Sequence, residues 1–134
     1  MAVFIDTGIF VAARNRSDIN HTRSKELMRQ ALTGQYGRIY TSDYIIDEAI
    51  TAALARTHSL EISKNTGRFI IESTRIVKLH VAEREFSKAW RKFQDLNKPL
   101  SFTDVTTLTL MEEHGIEKVM SFDRDFDGLA KRVS

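Results

Sequence analysis

The sequence predicts an α/β domain with a parallel sheet whose faces are covered by helices. The run 2–5, Ala-Val-Phe-Ile, is continuously apolar, as in strands that are buried on both faces. Further short strand-like runs occur at 39–41, 75–79, 118–121 and 132–133. Segments with helical spacing separate these runs, and such alternation is typical of βαβ units.

Composition is consistent with one domain over residues 1–134 that has a core of ordinary size. The chain is 42% hydrophobic and contains one proline and six glycines, so we expect no disordered linker or tail. The absence of cysteine excludes disulfides and thiolate zinc sites. No apolar run approaches the roughly 20 residues of a membrane span. We see no signal peptide, and we therefore expect a cytoplasmic protein.

The first half of the chain contains four predicted helices. A short apolar helix over 8–13 follows the first strand directly. Asp18, Ser42 and Ser59 are predicted N-caps of helices that run to about residues 33, 57 and 74.

The second half contains two longer predicted helices and a final helical turn. The helix over 82–97 has apolar residues at the three- and four-residue spacing of a core face: Phe86, Ala89, Trp90 and Phe93. This aromatic stripe is interpreted as core or dimer contact rather than as a surface that stacks on bases. The helix over 105–114 ends at Gly115.

Basic residues are concentrated in the middle of the chain. Residues 56–98 carry ten Lys or Arg against five Asp or Glu, and the remainder carries ten against thirteen. This polarity would suit a polyanion held near an acidic site. Solvent-exposed helix faces would explain the excess of basic residues over 56–98 equally well.

Four carboxylates have notable positions. Asp6 ends the first strand, Asp104 begins a late helix, and Asp123 follows the fourth strand. Glu48 lies beside the apolar stripe of an early helix, so we expect its carboxylate to lean inward. Strand carboxyl ends and helix amino ends share one edge of a parallel α/β sheet, so we expect one acidic site. Individually, Asp104 could be a cap, Asp123 a turn residue and Glu48 a solvated residue.

Carboxylates brought together repel one another unless they are protonated or bind a divalent cation. Oxygen ligands without cysteine favour Mg²⁺ or Mn²⁺ over zinc. Magnesium is usually held by carboxylates together with phosphate oxygens. The pattern therefore indicates phosphodiester hydrolysis by a metal-activated water.

The order of these motifs resembles the PIN domain, and most closely the VapC-type toxins of prokaryotic toxin–antitoxin pairs. The matching segments are Asp6-Thr7, Asp47-Glu48, the stretch 101–104 (Ser-Phe-Thr-Asp) and the stretch 121–126 (Ser-Phe-Asp-Arg-Asp-Phe). The resemblance covers the whole chain. It implies a Mg²⁺- or Mn²⁺-dependent endoribonuclease with a three-layer α/β/α fold and a parallel sheet of about five strands.

The resemblance also implies a role for individual residues. Asp6 and Asp104 would be the main metal ligands, and Glu48 would complete the acidic site or act on the water. Asp123 would be the fourth acidic member, with Asp125 as the second choice. Hydroxyl groups near the metal would come from Thr7 and Ser101. Family members are typically homodimers that are neutralised by a small antitoxin whose C-terminal segment enters the active-site groove.

Other interpretations remain open from the sequence. A PIN-like module could bind RNA or protein without cleaving it, although four repelling acids have no purpose there. A phosphatase with a phosphorylated aspartate would need a second Asp two residues after Asp6, where Gly8 stands. The basic middle of the chain predicts RNA contacts at Lys88 and Lys92. Arg124 could contact phosphate or form a surface salt bridge.

Overall fold

The computed structural model describes all 134 residues and contains one five-stranded sheet in which every pairing is parallel. The order across the sheet is β3-β2-β1-β4-β5. The predicted parallel sheet is confirmed, and no strand boundary moves by more than one residue. The strands are β1 (Ala2–Ile5), β2 (Arg38–Ser42), β3 (Ile76–Leu79), β4 (Lys118–Met120) and β5 (Lys131–Val133).

Six α-helices complete a three-layer α/β/α arrangement. The first four pack against one another, and the fifth packs mainly on the sixth. A bilayer could not be crossed by any of these helices, given their length and polarity. The helices are α1 (Thr7–Arg14), α2 (His21–Leu32), α3 (Asp43–Thr57), α4 (Leu60–Ile71), α5 (Glu83–Gln94) and α6 (Phe102–His114), and a short 3-10 helix spans Arg124–Phe126.

Side-chain caps fix the starts of several helices. The hydroxyl oxygens of Ser42 and Ser59 accept hydrogen bonds from backbone N–H groups three residues on, as predicted. The prediction for Asp18 was wrong, because α2 begins at His21 with Asn20 as its N-cap. Oδ1 of Asp18 instead accepts from the Asn20 N–H at 2.8 Å and closes a turn before the helix.

The first strand lies at the centre of the core. Val3, Phe4 and Ile5 are fully buried, as the continuous apolar run predicted. They belong to a single cluster of 20 buried apolar residues that extends over both halves of the chain. The position of Asp6 directly after these residues therefore fixes it at the carboxyl end of the most buried strand.

The predicted core face of α5 was wrong in part. Ala89 is buried, but Phe86 and Trp90 are 44% and 49% exposed. Both rings pack on Phe102 of α6, at centroid separations of 5.3 and 6.4 Å, and Phe93 completes the cluster. Because α5 packs mainly on a neighbouring helix, one side of this aromatic cluster remains in solvent.

The strand order creates a crevice beside β1. The chain passes outward from β1 to β2 and β3, and then returns to the other side of β1 to form β4. The connections from β1 and β4 therefore leave in different directions. In open α/β sheets, ligands bind at such a point, outside the carboxyl ends of the strands.

Candidate active site

Asp6 and Ser121 meet at the carboxyl ends of β1 and β4. Ile5 pairs with Met120 in the sheet register, so the residues that follow them are neighbours. The Ser121 hydroxyl donates a hydrogen bond of 2.6 Å to Oδ2 of Asp6. Ser121 is almost fully buried and Asp6 is 8% exposed. No role could be assigned to Ser121 from the sequence, because its importance depends on β4 lying next to β1.

The environment of Asp6 disfavours its charged form. Burial is the largest influence and raises the pKa of this carboxyl group to about 6. The hydrogen bonds from Ser121 and from the backbone of Thr7 lower the pKa, while the charges of Asp104 and Glu48 raise it. The three carboxylates are therefore close enough to repel one another.

Asp104 is both a helix cap and a member of the acidic site. Its N–H donates to the Ser101 hydroxyl at 3.0 Å, and its Oδ2 accepts from the Ser101 N–H at 3.3 Å. This capping box is the structural role that the sequence allowed. Partial burial, and then the charges of Asp123 and Glu48, raise the pKa of Asp104, against the lowering effect of the hydrogen bonds to Ser101.

The loop after β4 carries the last two acids. The Ser121 hydroxyl oxygen accepts from the Asp123 N–H at 3.0 Å, so the same hydroxyl orients Asp6 and this loop. Oδ1 of Asp123 accepts from the Asp125 N–H at 2.9 Å, and Asp125 is the more exposed of the two. The charge of Asp123 raises the pKa of Asp104, which is consistent with Asp123 as the fourth acid.

Glu48 lies at the rim of the site and not on an inward face as expected. Ile45 and Ala49 of α3 are buried, but Glu48 is exposed. It lines the acidic cleft on one side and a neighbouring cavity that includes Tyr44 and Thr103 on the other. Glu48 therefore contributes a solvent-exposed carboxylate to the lining of the acidic cleft.

All four predicted acids line one open cleft of about 580 Å³. The hydroxyl residues Thr7 and Ser101 and the second-choice acid Asp125 line it too. The other lining residues are Gly8, Asp18, Asn20, Arg56, Ser121 and Phe122. The structure therefore places every acidic and hydroxyl residue of the predicted site in the lining of one cleft.

The predicted RNA-contacting residues are placed differently. Lys88 and Lys92 lie outside the cleft and form ion pairs across α5 and α6, with Glu113 (3.4 Å) and Glu112 respectively. Both lysines that the sequence assigned to RNA contact are thus paired with carboxylates of the neighbouring helix. Arg124 is exposed beside Asp123 and forms no ion pair.

The donor set fits a hard divalent cation. The acidic side chains are not drawn together into a compact metal site, since no three of them lie close enough to hold an ion. The side chains present nevertheless fit a cation, because burial and then neighbouring negative charges raise the pKa values of Asp6 and Asp104, and an adjacent positive charge would favour their ionised forms. Oγ1 of Thr7 is buried beside them without a hydrogen-bond partner. A bound cation would offset the mutual repulsion of these carboxylates.

The sequence of this chain matches one family model and several proteins that are named as nucleases. The family model described as the PIN domain matches residues 3–132. The chain is 30% identical over 128 residues to the VapC ribonuclease of Archaeoglobus fulgidus, which covers 94% of this chain and 80% of that protein. It is 26% identical over 126 residues to the 23S rRNA-specific endonuclease VapC20 of Mycobacterium tuberculosis, covering 92% and 91% of the two chains.

Solved structures show the same fold. The crystal structure of VapC20 from Mycobacterium tuberculosis, described as a Sarcin–Ricin loop cleaving toxin, matches with a TM-score of 0.82 and 25% identity over 92% of each chain. VapBC2 from Rickettsia felis, bound to a DNA fragment from its promoter, matches with a TM-score of 0.68 over 99% of this chain and 98% of that one. At 11% identity, the second match shows the fold alone.

Proposed function

The chain belongs to the PIN domain family, and from this we propose that it is a metal-dependent endoribonuclease that hydrolyses RNA phosphodiester bonds, as the toxin of a toxin–antitoxin pair. One observation carries the proposal. Asp6, Glu48, Asp104 and Asp123 line a single cleft at the carboxyl ends of β1 and β4. The relatives named as ribonucleases support RNA as the substrate class.

We propose Mg²⁺ or Mn²⁺ as the cofactor, with Asp6 and Asp104 as its main ligands and Glu48 and Asp123 completing the site. When bound, such an ion supplies activation of a water nucleophile and offsets charge on the leaving oxygen. The raised pKa values of Asp6 and Asp104 support this assignment, because a cation is the group that would most favour their ionised forms.

The protein's own residues prepare this site in distinct ways. Ser121 donates to one oxygen of Asp6, which favours the carboxylate and fixes its orientation. Ser101 does the same for Oδ2 of Asp104 through its backbone N–H. Glu48 is exposed and accepts no hydrogen bond of this kind, so its carboxylate oxygens are free to accept a hydrogen bond from the attacking water.

Two protein partners belong to the proposal. The family resemblance implies a small antitoxin whose C-terminal segment enters the groove, and the names of the VapC relatives are consistent with such a partner. A homodimer is supported by the aromatic cluster on α5, since Phe86 and Trp90 leave an apolar surface in solvent. The cytoplasmic location expected from the sequence stays a prediction.

The second candidate is a PIN-like module that binds RNA or protein without cleaving it. Such a module gains nothing from an aspartate whose pKa is raised to about 6, because its ionised form destabilises the fold at neutral pH. A buried Asp6 is useful only to a ligand, such as a metal ion, that binds its ionised carboxylate. This argument favours the nuclease.

Purified protein should be incubated with a mixed pool of structured and single-stranded RNA in Mg²⁺, in Mn²⁺ and in EDTA. We expect cuts that require the metal and that disappear in Asp6→Asn. Asp95→Asn is the matched control, because Asp95 is an exposed aspartate at the end of α5, outside the cleft. Cleavage by Asp6→Asn at the control rate would refute the site, and absence of any cleavage by the wild type would favour the binding module.

A further inference from the structure

The acidic cleft has one basic side chain among its lining residues, and that side chain is Arg56. The remaining charges are all negative: Asp6, Asp18, Glu48, Asp104, Asp123 and Asp125. An RNA phosphate approaching this cleft would be repelled by the carboxylates that a metal does not neutralise. A fixed cation at the cleft is therefore well suited to hold the substrate.

Arg56 lies on the same helix as Glu48 but farther along it. It is in the last turn of α3, eight residues after Glu48, which corresponds to about 12 Å along the helix axis. This spacing places Arg56 about two helical turns from Glu48 in the lining of the same cleft. At this position it is suited to a phosphate that flanks the scissile one.

The contacts of Arg56 leave its hydrogen-bond donors available. Nη1 lies 4.0 Å from Oδ2 of Asp18, which is an ion pair but too long for a hydrogen bond. The Arg56 side chain is 55% exposed, whereas that of Asp18 is 15% exposed. Asp18 is itself held in place, because its Oδ1 accepts from the Asn20 N–H. The anchored carboxylate of Asp18 thus keeps the Arg56 guanidinium near the cleft and leaves its N–H donors free to bind a ligand.

We propose that Arg56 binds an RNA phosphate next to the scissile phosphate, and that Asp18 holds Arg56 in position for it. The inference rests on the proposed nuclease function and deepens it. A guanidinium offers two parallel N–H donors that match phosphate oxygens, which an ammonium group cannot reproduce. A purely structural role would consist of one partly exposed ion pair, which contributes little to stability.

Steady-state cleavage kinetics of Arg56→Ala, Arg56→Lys and Arg75→Ala test the proposal. Arg75 is an exposed arginine just before β3, at the opposite edge of the sheet from the cleft, and serves as the control. We expect Arg56→Ala to raise KM by roughly 10-fold with a smaller change in kcat, and Arg56→Lys to recover only part of that loss. The Arg75 variant should behave as the wild type does.

Binding to RNA without cleavage separates this inference from the proposed function. In an Asp6→Asn background, removal of Arg56 should weaken binding and reduce the slope of log K against log salt by about 0.7, the value for one phosphate on a single strand. An unchanged KM and salt slope in a folded Arg56→Ala variant would overturn the inference while the nuclease stands. A wild type that binds RNA in an Arg56-dependent way but never cuts it would overturn the nuclease instead.

Discussion

The hydroxyl of Ser121 donates a 2.6 Å hydrogen bond to Oδ2 of Asp6, joining residues that lie 115 positions apart in the chain. The same hydroxyl accepts from the N–H of Asp123. A single buried serine therefore orients the acid that follows β1 and the loop that follows β4. Because β1 pairs with β4, the Ser121 hydroxyl can hold Asp6 and the loop of Asp123 in fixed positions at the acidic cleft.

Replacement of Ser121 by alanine should shift the pH dependence of metal binding. The Ser121 hydrogen bond lowers the pKa of Asp6, so its loss should raise that pKa further above about 6. Metal binding requires the carboxylate. We expect weaker Mn²⁺ binding by Ser121→Ala at pH 6 to 7 and a smaller deficit at pH 8, as measured by titration calorimetry. Ser17→Ala, an exposed serine, is the control. Superimposable pH profiles of Ser121→Ala and wild type would contradict this role.

Asp6→Asn should stabilise the metal-free protein at alkaline pH. The folded pKa of Asp6 is about 6 and its ordinary value is 3.8, so the stability associated with the neutral form is complete below 3.8 and is lost as pH rises through 6. A shift of this size corresponds to at most about 3 kcal/mol.

Urea unfolding in EDTA between pH 4 and 8 measures this effect. We expect the free energies of unfolding of Asp6→Asn and wild type to converge at pH 4 and to differ by about 1 to 3 kcal/mol at pH 8, with the variant more stable. Asp95→Asn should follow the wild type throughout. A variant that is less stable than wild type at pH 8 would show that Asp6 is not desolvated in the way described.

Asp123 and Asp125 should differ in their effect on cleavage. Asp123 is the more buried of the two and raises the pKa of Asp104, whereas Asp125 is exposed. We expect Asp123→Asn to lower kcat by roughly 100-fold or more and Asp125→Asn to have a much smaller effect. Asparagine retains the oxygen that accepts from the Asp125 N–H, so the loop should keep its conformation. The reverse ranking would assign the fourth acid to Asp125.

Trp90→Ala should weaken a homodimer that uses the aromatic cluster of α5 and α6. A half-exposed tryptophan packed on Phe102 is the kind of residue that dominates interface energies. We expect an increase of at least about 30-fold in the dimer dissociation constant by sedimentation velocity, which corresponds to about 2 kcal/mol. Leu60→Ala is the control, because Leu60 is an exposed apolar residue on α4. Equal dissociation constants for Trp90→Ala and wild type would place the interface elsewhere.

The sequence alone determined the elements of this protein and the types of residue at its site. The apolar run 2–5 defined the central strand, and Ser42, Ser59 and Gly115 marked helix ends. Each of these signals involves only a few consecutive residues, so it can be identified without knowledge of the tertiary structure. The rule that parallel strands share a carboxyl edge then predicted that Asp6 and Asp123 would be neighbours.

Tertiary structure alone decided which groups touch. The pairing of β4 with β1 gave Ser121 its role, and the packing of α5 on α6 left Trp90 exposed and paired Lys92 with Glu112. The turn before α2 brought Asp18 to Arg56. Each of these contacts joins distant parts of the chain, and their geometry depends on strand order and helix packing. Local periodicity and capping signals carry no information about that order.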